Sequence, residues 1–334
     1  YQTNVGFDAA LLNNRLSLSV DYFYKKTNDM LVEKPYIATI GEGGYCWYNG
    51  GSMVNKGFEL TANWHQSLDN GLSYEIGANM TVMKNKVTDL MSDIYYTWGG
   101  GNGIDKSIVG QALGSWMGYR TDGVFRTQQE VDEYKEKYRI SFGEPAVGRL
   151  RYVDTNGDGE ISDRDRTWLG CDLPKAQFGI NLGANWKGFD LSLFFNSIIR
   201  DAWNNSKYYT DFFPLWTGNH GTQLLKAADA YDRYLTTGRY DADVPAPSID
   251  NNNKENEGSD YYIEDGSFLR LKTLSLGYTI PARLREKLHL KNARIYFQAQ
   301  NVFTITSYSG ADPEGLGYPY ALPRQYTFGI QFGF

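Results

Sequence analysis

Apolar and polar residues alternate strictly along most of this chain. The C-terminal segment is the clearest case, because Tyr326, Phe328 and Ile330 fall on one face of an extended strand while Thr327 and Gly329 fall on the other. A period of two is typical of β-strands whose two faces meet different surroundings. The pattern predicts nine strands, at residues 3–11, 15–27, 55–66, 71–86, 176–186, 188–200, 266–281, 292–304 and 323–334.

The connections between these strands alternate between short and long. The odd-numbered connections are compact turns, whereas the even-numbered ones are long, at about 28–54, 87–175, 201–265 and the 18 or so residues before the last strand. In an up-and-down barrel every second connection lies on the same side, and bacterial outer-membrane barrels have short periplasmic turns and long outer loops. A soluble sandwich is the alternative, but that fold does not require short and long connections to alternate. The pattern therefore predicts an all-β, transmembrane antiparallel β-barrel.

The predicted strand directions indicate that the barrel is larger than this sequence. If the last strand ends on the periplasmic side, the first visible strand runs downward from outside, whereas the first strand of a bacterial barrel runs upward. Nine is also an odd number, and closed single-chain bacterial barrels have even numbers of strands. The first residues show neither the charged nor the apolar part of a signal peptide. We expect residues 1–334 to be the C-terminal part of one barrel domain.

Composition narrows the classes of partner. Lys and Arg number 33 and Asp and Glu 39, and this net charge of -6, without a Lys/Arg cluster, argues against a nucleic acid partner. The mean hydropathy of -0.50 and the lack of a long apolar run exclude membrane-spanning helices. Trp64 and Trp186 lie near the lower ends of predicted downward strands, where an aromatic girdle facing outer-membrane lipid is expected.

Residues 154–165 match a calcium-binding loop. Gly159 at the sixth position permits a sharp turn, and Ile161 at the eighth would anchor the loop to its neighbour. The alternative is an acidic surface turn without an ion. The oxygen ligands predicted for a structural Ca²⁺ are Asp154, Asn156, Asp158, the carbonyl of Glu160, and Asp165.

Several motifs resemble the SusC/RagA group of TonB-dependent outer-membrane transporters. Residues 109–125 read VGQALGSWMGYRTDGVF and residues 151–170 read RYVDTNGDGEISDRDRTWLG. Further matches lie at 178–183, 187–195, 267–278 and 299–303. The resemblance covers essentially the whole chain and implies that these are the last nine strands of a 22-stranded barrel. It also implies that the plug domain and the earlier strands lie outside this sequence.

The same resemblance implies energised import of a nutrient across the bacterial outer membrane. Its implied partners are a SusD-like surface lipoprotein outside, for which the long loops are the available surface, and TonB, reached through the missing N-terminal part. A passive channel or adhesin with the same barrel is the alternative, and the residues before Tyr1 would decide between them.

No catalytic constellation is recognisable, so we do not expect an enzyme. The three histidines, His65, His220 and His289, fall on a strand, an outer loop and a periplasmic turn, without a serine triad or a zinc motif. Cys46 and Cys171 lie in different outer loops, and the sequence leaves open whether they pair. The sequence pattern of residues 127–138 predicts a short capped helix inside the longest loop.

Aromatic residues in the outer loops are the candidates for cargo binding. Within the resembled group the cargo is an oligosaccharide or a peptide, and flat aromatic rings beside Asn and Asp suit a sugar. The sequence therefore favours an oligosaccharide, with a peptide importer as the alternative. Trp116 and Trp168 lie in the group's motifs and are assigned to loop packing. The predicted ligand-binding residues are Trp98, Trp203, Tyr208, Tyr209 and Trp216.

Overall fold

The structure is a computed structural model that describes most of the chain. It leaves out residues 36–38, 40, 42–43, 91–107, 205–206, 208–224, 247, 249–251, 288, 316–320 and 334. The strands of the described part are β1 (Gln2–Leu11), β2 (Leu16–Pro35), β3 (Tyr45–Ser67), β4 (Ser73–Leu90), β5 (Trp116–Gly118), β6 (Thr121–Val124), β7 (Arg139–Ile140), β8 (Leu150–Tyr152), β9 (Glu160–Ile161), β10 (Thr167–Gly170), β11 (Ala176–Trp186), β12 (Phe189–Ile199), β13 (Asp201–Trp203), β14 (Ile263–Asp265), β15 (Phe268–Thr279), β16 (Asn292–Thr306) and β17 (Gln325–Gly333). The α-helices are α1 (Gln128–Lys137), α2 (Leu225–Thr237) and α3 (Ala282–Lys287).

Nine long strands form one antiparallel sheet. Their order is β1-β2-β3-β4-β11-β12-β15-β16-β17, so each strand pairs with the next long strand of the chain. All nine predicted strands are thereby confirmed, and the short strands between them belong to separate two-stranded ribbons. Because each long strand pairs with the next one along the chain, the period-two pattern of the individual strands is enough to locate the sheet.

The two faces of this sheet differ in chemistry. On β17 the side chains of Tyr326, Phe328 and Ile330 are 56%, 80% and 60% exposed. The other face carries polar groups, such as Asp190 on β12, whose carboxylate receives a hydrogen bond from Arg294 on β16 at 2.5 Å. Apolar side chains exposed along a whole sheet face are tolerable only where that face meets lipid or another protein surface.

The prediction of a loop at 28–54 is wrong. Strands β2 and β3 continue through most of this range, and they remain paired as far as Pro35 and Tyr45. The register shifts between Thr27 and Met30 and again at Leu31, and Asp29 has a φ of 54°. A bulge of this kind inserts an unpaired residue and breaks the alternation, so the sequence pattern ends before the strand does.

The two longest connections pack together outside the sheet. We call residues 108–175 and 225–265 the outer lobe. Its core of buried side chains is built from both connections, including Phe125 and Leu150 from the first and Tyr240 from the second. Backbone hydrogen bonds join them, as from Tyr240 N to Arg126 O at 2.8 Å. The outer lobe is therefore a folded body and not a pair of independent loops.

Helix α1 confirms the helix predicted in the longest connection. It begins after Thr127, whose hydroxyl accepts a hydrogen bond from Glu130 N at 3.3 Å, and it packs Val131 and Tyr134 into the lobe core. Within the described residues, every helix is too short or too polar to cross a membrane.

Candidate functional site

Trp203 is the one predicted cargo-binding residue among those described, and it lies at the junction between the sheet and the outer lobe. Trp203 is the last residue of β13. This short strand follows β12 in the chain and pairs with β14. The ring of Trp203 stacks on Tyr262 with 5.5 Å between centroids and lies 5.8 Å from Trp116. These contacts occupy part of the indole surface, so any cargo would meet only the partly exposed remainder.

The other predicted ligand-binding residues lie outside the described residues. They are Trp98, Tyr208, Tyr209 and Trp216. In the sequence, Trp98 belongs to the connection after β4, and the other three follow β13. Their role in cargo binding stays a prediction. Trp116 packs on Trp203, in keeping with its assignment to loop packing.

A buried polar cluster joins the two halves of the outer lobe, and sequence reasoning missed it. Glu255 is 1% exposed, and its Oε1 accepts hydrogen bonds from Asn253 Nδ2 at 2.8 Å and from Leu150 N at 3.2 Å. Arg149 Nη1 lies 3.7 Å from Glu255 Oε2. Burial raises the pKa of Glu255, and the opposing effect of Arg149 and of the hydrogen bonds does not cancel this rise. The residues are separated by about a hundred positions, so no sequence spacing signals the cluster.

A second missed cluster ties the connection before β17 to the sheet. Arg270 on β15 is 3% exposed, and it donates to Asp312 Oδ1 at 2.8 Å and to Glu314 Oε2 at 2.6 Å. Lys272 also donates to Glu314, at 2.6 Å. Arg200, at the end of β12, donates to the Pro313 carbonyl at 2.5 Å. We call Arg200, Arg270, Lys272, Asp312 and Glu314 the mouth cluster, because they lie where these strands meet the outer loops.

The hydrogen bonds of Asp312 explain its charge state. Burial by itself would raise the pKa of its carboxyl group. Hydrogen bonds from Glu314 N and Leu322 N, together with the Arg270 guanidinium, outweigh this effect and hold the pKa below its usual range. Asp312 is therefore an anion at neutral pH, and it forms an ion pair with the buried Arg270 guanidinium.

The predicted calcium loop has the turns that its glycines imply. Gly157 and Gly159 both have a φ of 78°, a region that glycine enters without strain. Asp154 accepts hydrogen bonds from both of their amides, at 2.6 and 3.0 Å. Asn156 Oδ1 and Asp158 Oδ1 accept from Asp158 N and Glu160 N, each at 2.9 Å. The side-chain oxygens of Asp154, Asn156 and Asp158 thus hold the backbone in a tight loop by accepting hydrogen bonds from its amides.

Asp165 closes the other end of this loop. It is fully buried and accepts hydrogen bonds from Thr155 N at 2.8 Å and Ser162 N at 2.9 Å. The donor set consists of hard oxygen atoms, the type that calcium prefers. Across the described residues, however, no three side chains of the His, Cys, Asp or Glu type are gathered as a metal site. The donors fit calcium in kind, and the ion stays a prediction.

The outer lobe also carries a polar surface pocket of about 310 Å³. Arg151 crosses it and pairs with Asp122 at 2.9 Å and Glu130 at 3.8 Å. The rings of Tyr134 and Tyr138 form part of its wall. Its size is at the lower end for ligand sites, and its ion pairs would have to rearrange for a charged ligand. It therefore offers a small polar surface with its charged side chains already paired to one another.

The sequence is similar to those of known outer-membrane proteins along nearly its whole length. A model of the family described as "TonB dependent receptor-like, beta-barrel" matches residues 1–302. TonB-dependent receptor P3 of Formosa agariphila is 30% identical over 355 residues, which cover 100% of this chain and 34% of that protein. TonB-dependent receptor SusC of Bacteroides thetaiotaomicron is 27% identical over 332 residues, which cover 97% of this chain and 30% of that protein.

Solved structures show the same arrangement of strands. The "RagAB peptide transporter" structure superposes with a TM-score of 0.73 at 27% identity, covering 99% of this chain and 34% of that one. The same peptide importer in its "open-open" state gives a TM-score of 0.74 at 26% identity. The chain thus spans about a third of the length of the relatives it matches.

Proposed function

The chain belongs to the family of TonB-dependent receptor-like β-barrels of the bacterial outer membrane, and from this premise we propose that the whole protein imports a nutrient with energy delivered through TonB. The family consists of transporters and receptors. The nine-stranded sheet is accordingly a segment of an outer-membrane barrel, and we propose that residues 1–334 are the C-terminal part of that one domain. The observation that carries the transport proposal is the sheet with one exposed apolar face and a folded lobe on its long-loop side.

A SusD-like surface lipoprotein is the partner that we propose on the outer side. The similarity to SusC and to the RagAB structures supports this pairing. The outer lobe supports it further, because a body with its own buried core presents a stable surface for association. TonB would act through the part of the protein that precedes this sequence.

We propose an oligosaccharide as the cargo, with a peptide as the second candidate. Aromatic rings flanked by polar side chains favour the sugar. The peptide is favoured by a different observation, because the similar solved structures are described as a peptide transporter and importer. Both candidates would be imported in the same way. They differ only in the loop side chains that would bind them.

The cargo proposal predicts a large loss of sugar affinity when loop tryptophans are removed. In the intact transporter, replacing Trp98, Trp203 and Trp216 together by alanine should weaken oligosaccharide binding by at least about tenfold, since stacked rings supply much of the contact energy. The measurement is titration of the purified complex with glycan and peptide libraries, followed by uptake in cells with and without TonB.

Matched variants separate the possible outcomes of this titration. Trp47→Ala removes an indole that is 65% exposed and outside the candidate set, so it should leave binding unchanged. The double variant Trp98→Ala/Trp216→Ala leaves Trp203 in place. A loss of binding in this variant therefore cannot come from losing the packing of Trp203 on Tyr262. Retained sugar affinity would remove these residues from the site, tight peptide binding would overturn the cargo class, and uptake without TonB would overturn active import.

We propose that residues 154–165 bind a structural Ca²⁺, and that the ion stabilises the outer lobe. If so, calcium at a hundred times its dissociation constant should add about 2.7 kcal/mol to the stability of the lobe. Calorimetric titration and protease resistance measure this. Asp154→Asn/Asp158→Asn should abolish the effect, and Asp132→Asn on the exposed side of α1 should not. A wild-type protein that gives neither heat nor protection would contradict the proposal.

A further inference from the structure

We propose that the short-turn rim around the β11–β12 turn and helix α3 binds the headgroup phosphate of an anionic phospholipid. This site lies at the opposite end of the sheet from the outer lobe. Short turns of such barrels face the periplasm, so the lipid would belong to the periplasmic leaflet of the outer membrane. The proposal rests on the membrane placement of the sheet and is independent of what the protein transports.

Aromatic side chains mark the level of the membrane boundary on this rim. Trp186 and Phe189 flank the β11–β12 turn on the apolar face and are 46% and 49% exposed. The ring of Phe189 lies 4.5 Å from that of Tyr278 on the neighbouring strand β15. Exposed aromatic rings at strand ends are typical of the boundary between acyl chains and headgroups.

A cation is held on the lipid side at this same level. Lys187 and Gly188 form the two-residue turn, with φ values of 48° and 92°. The Nζ atom of Lys187 lies 4.7 Å from the centroid of the Trp186 ring. Because the Trp186 ring belongs to the apolar face, the ammonium group stands at the lipid surface at headgroup height.

The next turn of the rim adds more positive charge. Gly188 O accepts a hydrogen bond from Thr279 N at 2.8 Å, which places the β15–β16 connection beside the β11–β12 turn. In that connection Arg283 and Lys287, with Leu284 and Glu286, line an open depression of about 540 Å³. Leu284 is 51% exposed, so an apolar side chain lies among the cations, as a phospholipid would require.

Among the short turns of the described sheet, positive charge is concentrated in this sector of the rim. The β15–β16 connection contains Arg283, Arg285, Lys287 and Lys291 against the single acidic residue Glu286. The β1–β2 turn has one cation, Arg15, and the β3–β4 turn has one anion, Asp69. Asp190, the nearest carboxylate on β12, is paired with Arg294 on the polar face of the sheet. This local Lys/Arg cluster, which the expectation drawn from the net charge of -6 overlooked, favours an anionic partner at the membrane surface.

The test uses the intact transporter and its lipid adducts. Lys187→Gln/Arg283→Gln/Lys287→Gln should reduce binding of phosphatidylglycerol, measured by native mass spectrometry, by at least about tenfold. Phosphatidylcholine binding should not change, and inorganic phosphate should not compete. The control Lys135→Gln/Lys137→Gln/Arg239→Gln removes the same charge from exposed positions of the outer lobe and should leave lipid binding unchanged.

Other outcomes overturn the proposal. An equal loss in both triple variants would mean that only net charge matters, and unchanged phosphatidylglycerol binding in the rim variant would exclude the site. Displacement by inorganic phosphate would indicate an anion site without lipid selectivity. If the rim variant instead loses a periplasmic protein while its lipid binding is unchanged, the surface is a protein contact. Cargo uptake need not change in any of these cases, so the result is separable from the transport proposal.

Discussion

Arg270→Met should destabilise the mouth of the barrel by about 3–5 kcal/mol. Removing one member of a buried ion pair leaves its partners desolvated and uncompensated, and this loss is larger than the modest net value of the intact pair. Asp312 is 6% exposed and would lose the one cationic hydrogen-bond donor that it has among the described residues, whereas Glu314 would retain Lys272. The cost should therefore fall mainly on Asp312 and on the connection before β17.

Urea unfolding of the intact protein in detergent or vesicles measures this effect. Asp312→Asn in the Arg270→Met background should recover part of the loss, because the two residues contact each other and their effects are not additive. Arg233→Met serves as the control, since its ion pair with Asp241 is exposed to solvent and should contribute little to stability. A loss no greater than that of the control would contradict the importance of the mouth cluster.

The pH dependence gives an independent readout of the same cluster. The pKa of Asp312 is lowered in the folded protein, so its contribution to stability is present above the ordinary aspartate pKa of about 3.9 and is lost as the pH falls further. The difference between wild type and Arg270→Met should therefore be largest near neutral pH and should narrow in acid.

Arginine at Leu182 or Ile330 should cost about 2–4 kcal/mol when either position lies near the bilayer midplane. Leu182 pairs with Ile76 and Leu193 on the neighbouring strands, which places it in an apolar row. Ile330 pairs with Ile295 and is 60% exposed, so it meets lipid directly. A guanidinium at either position would have to enter hydrocarbon or distort the bilayer around it.

The opposite face supplies the matched control for these variants. Asn181 adjoins Leu182 but points to the polar face, where Gly77 stands beside it, so Asn181→Arg should be mild. Gln331→Arg is a poorer control, because the new arginine would lie opposite Arg294 on the neighbouring strand and the two like charges would repel. Folding into vesicles and urea unfolding compare the variants. Equal damage on both faces would exclude a lipid-facing role for the apolar face.

The sequence by itself determined the nine strands, their antiparallel order and the chemistry of their two faces. Each strand pairs with the next long strand, so the information lies in local alternation and in turns such as Lys187–Gly188. The capped helix after Thr127 is equally local and was predicted for the same reason. The alternation failed most clearly at the bulges near Asp29, where one extra residue inverts the pattern while the strand continues.

Only the tertiary structure decided how distant segments meet. Glu255 reaches Arg149 and Leu150 across the outer lobe, and Arg270 reaches Asp312 at the mouth of the sheet. The basic rim likewise forms because β12 and β15 are neighbours, which places Lys187 beside helix α3. Burial of a charged or aromatic side chain depends on contacts that carry no periodic signature, since segments far apart in sequence supply them. Periodicity therefore predicts the sheet, and packing alone creates the lobe, the mouth cluster and the rim.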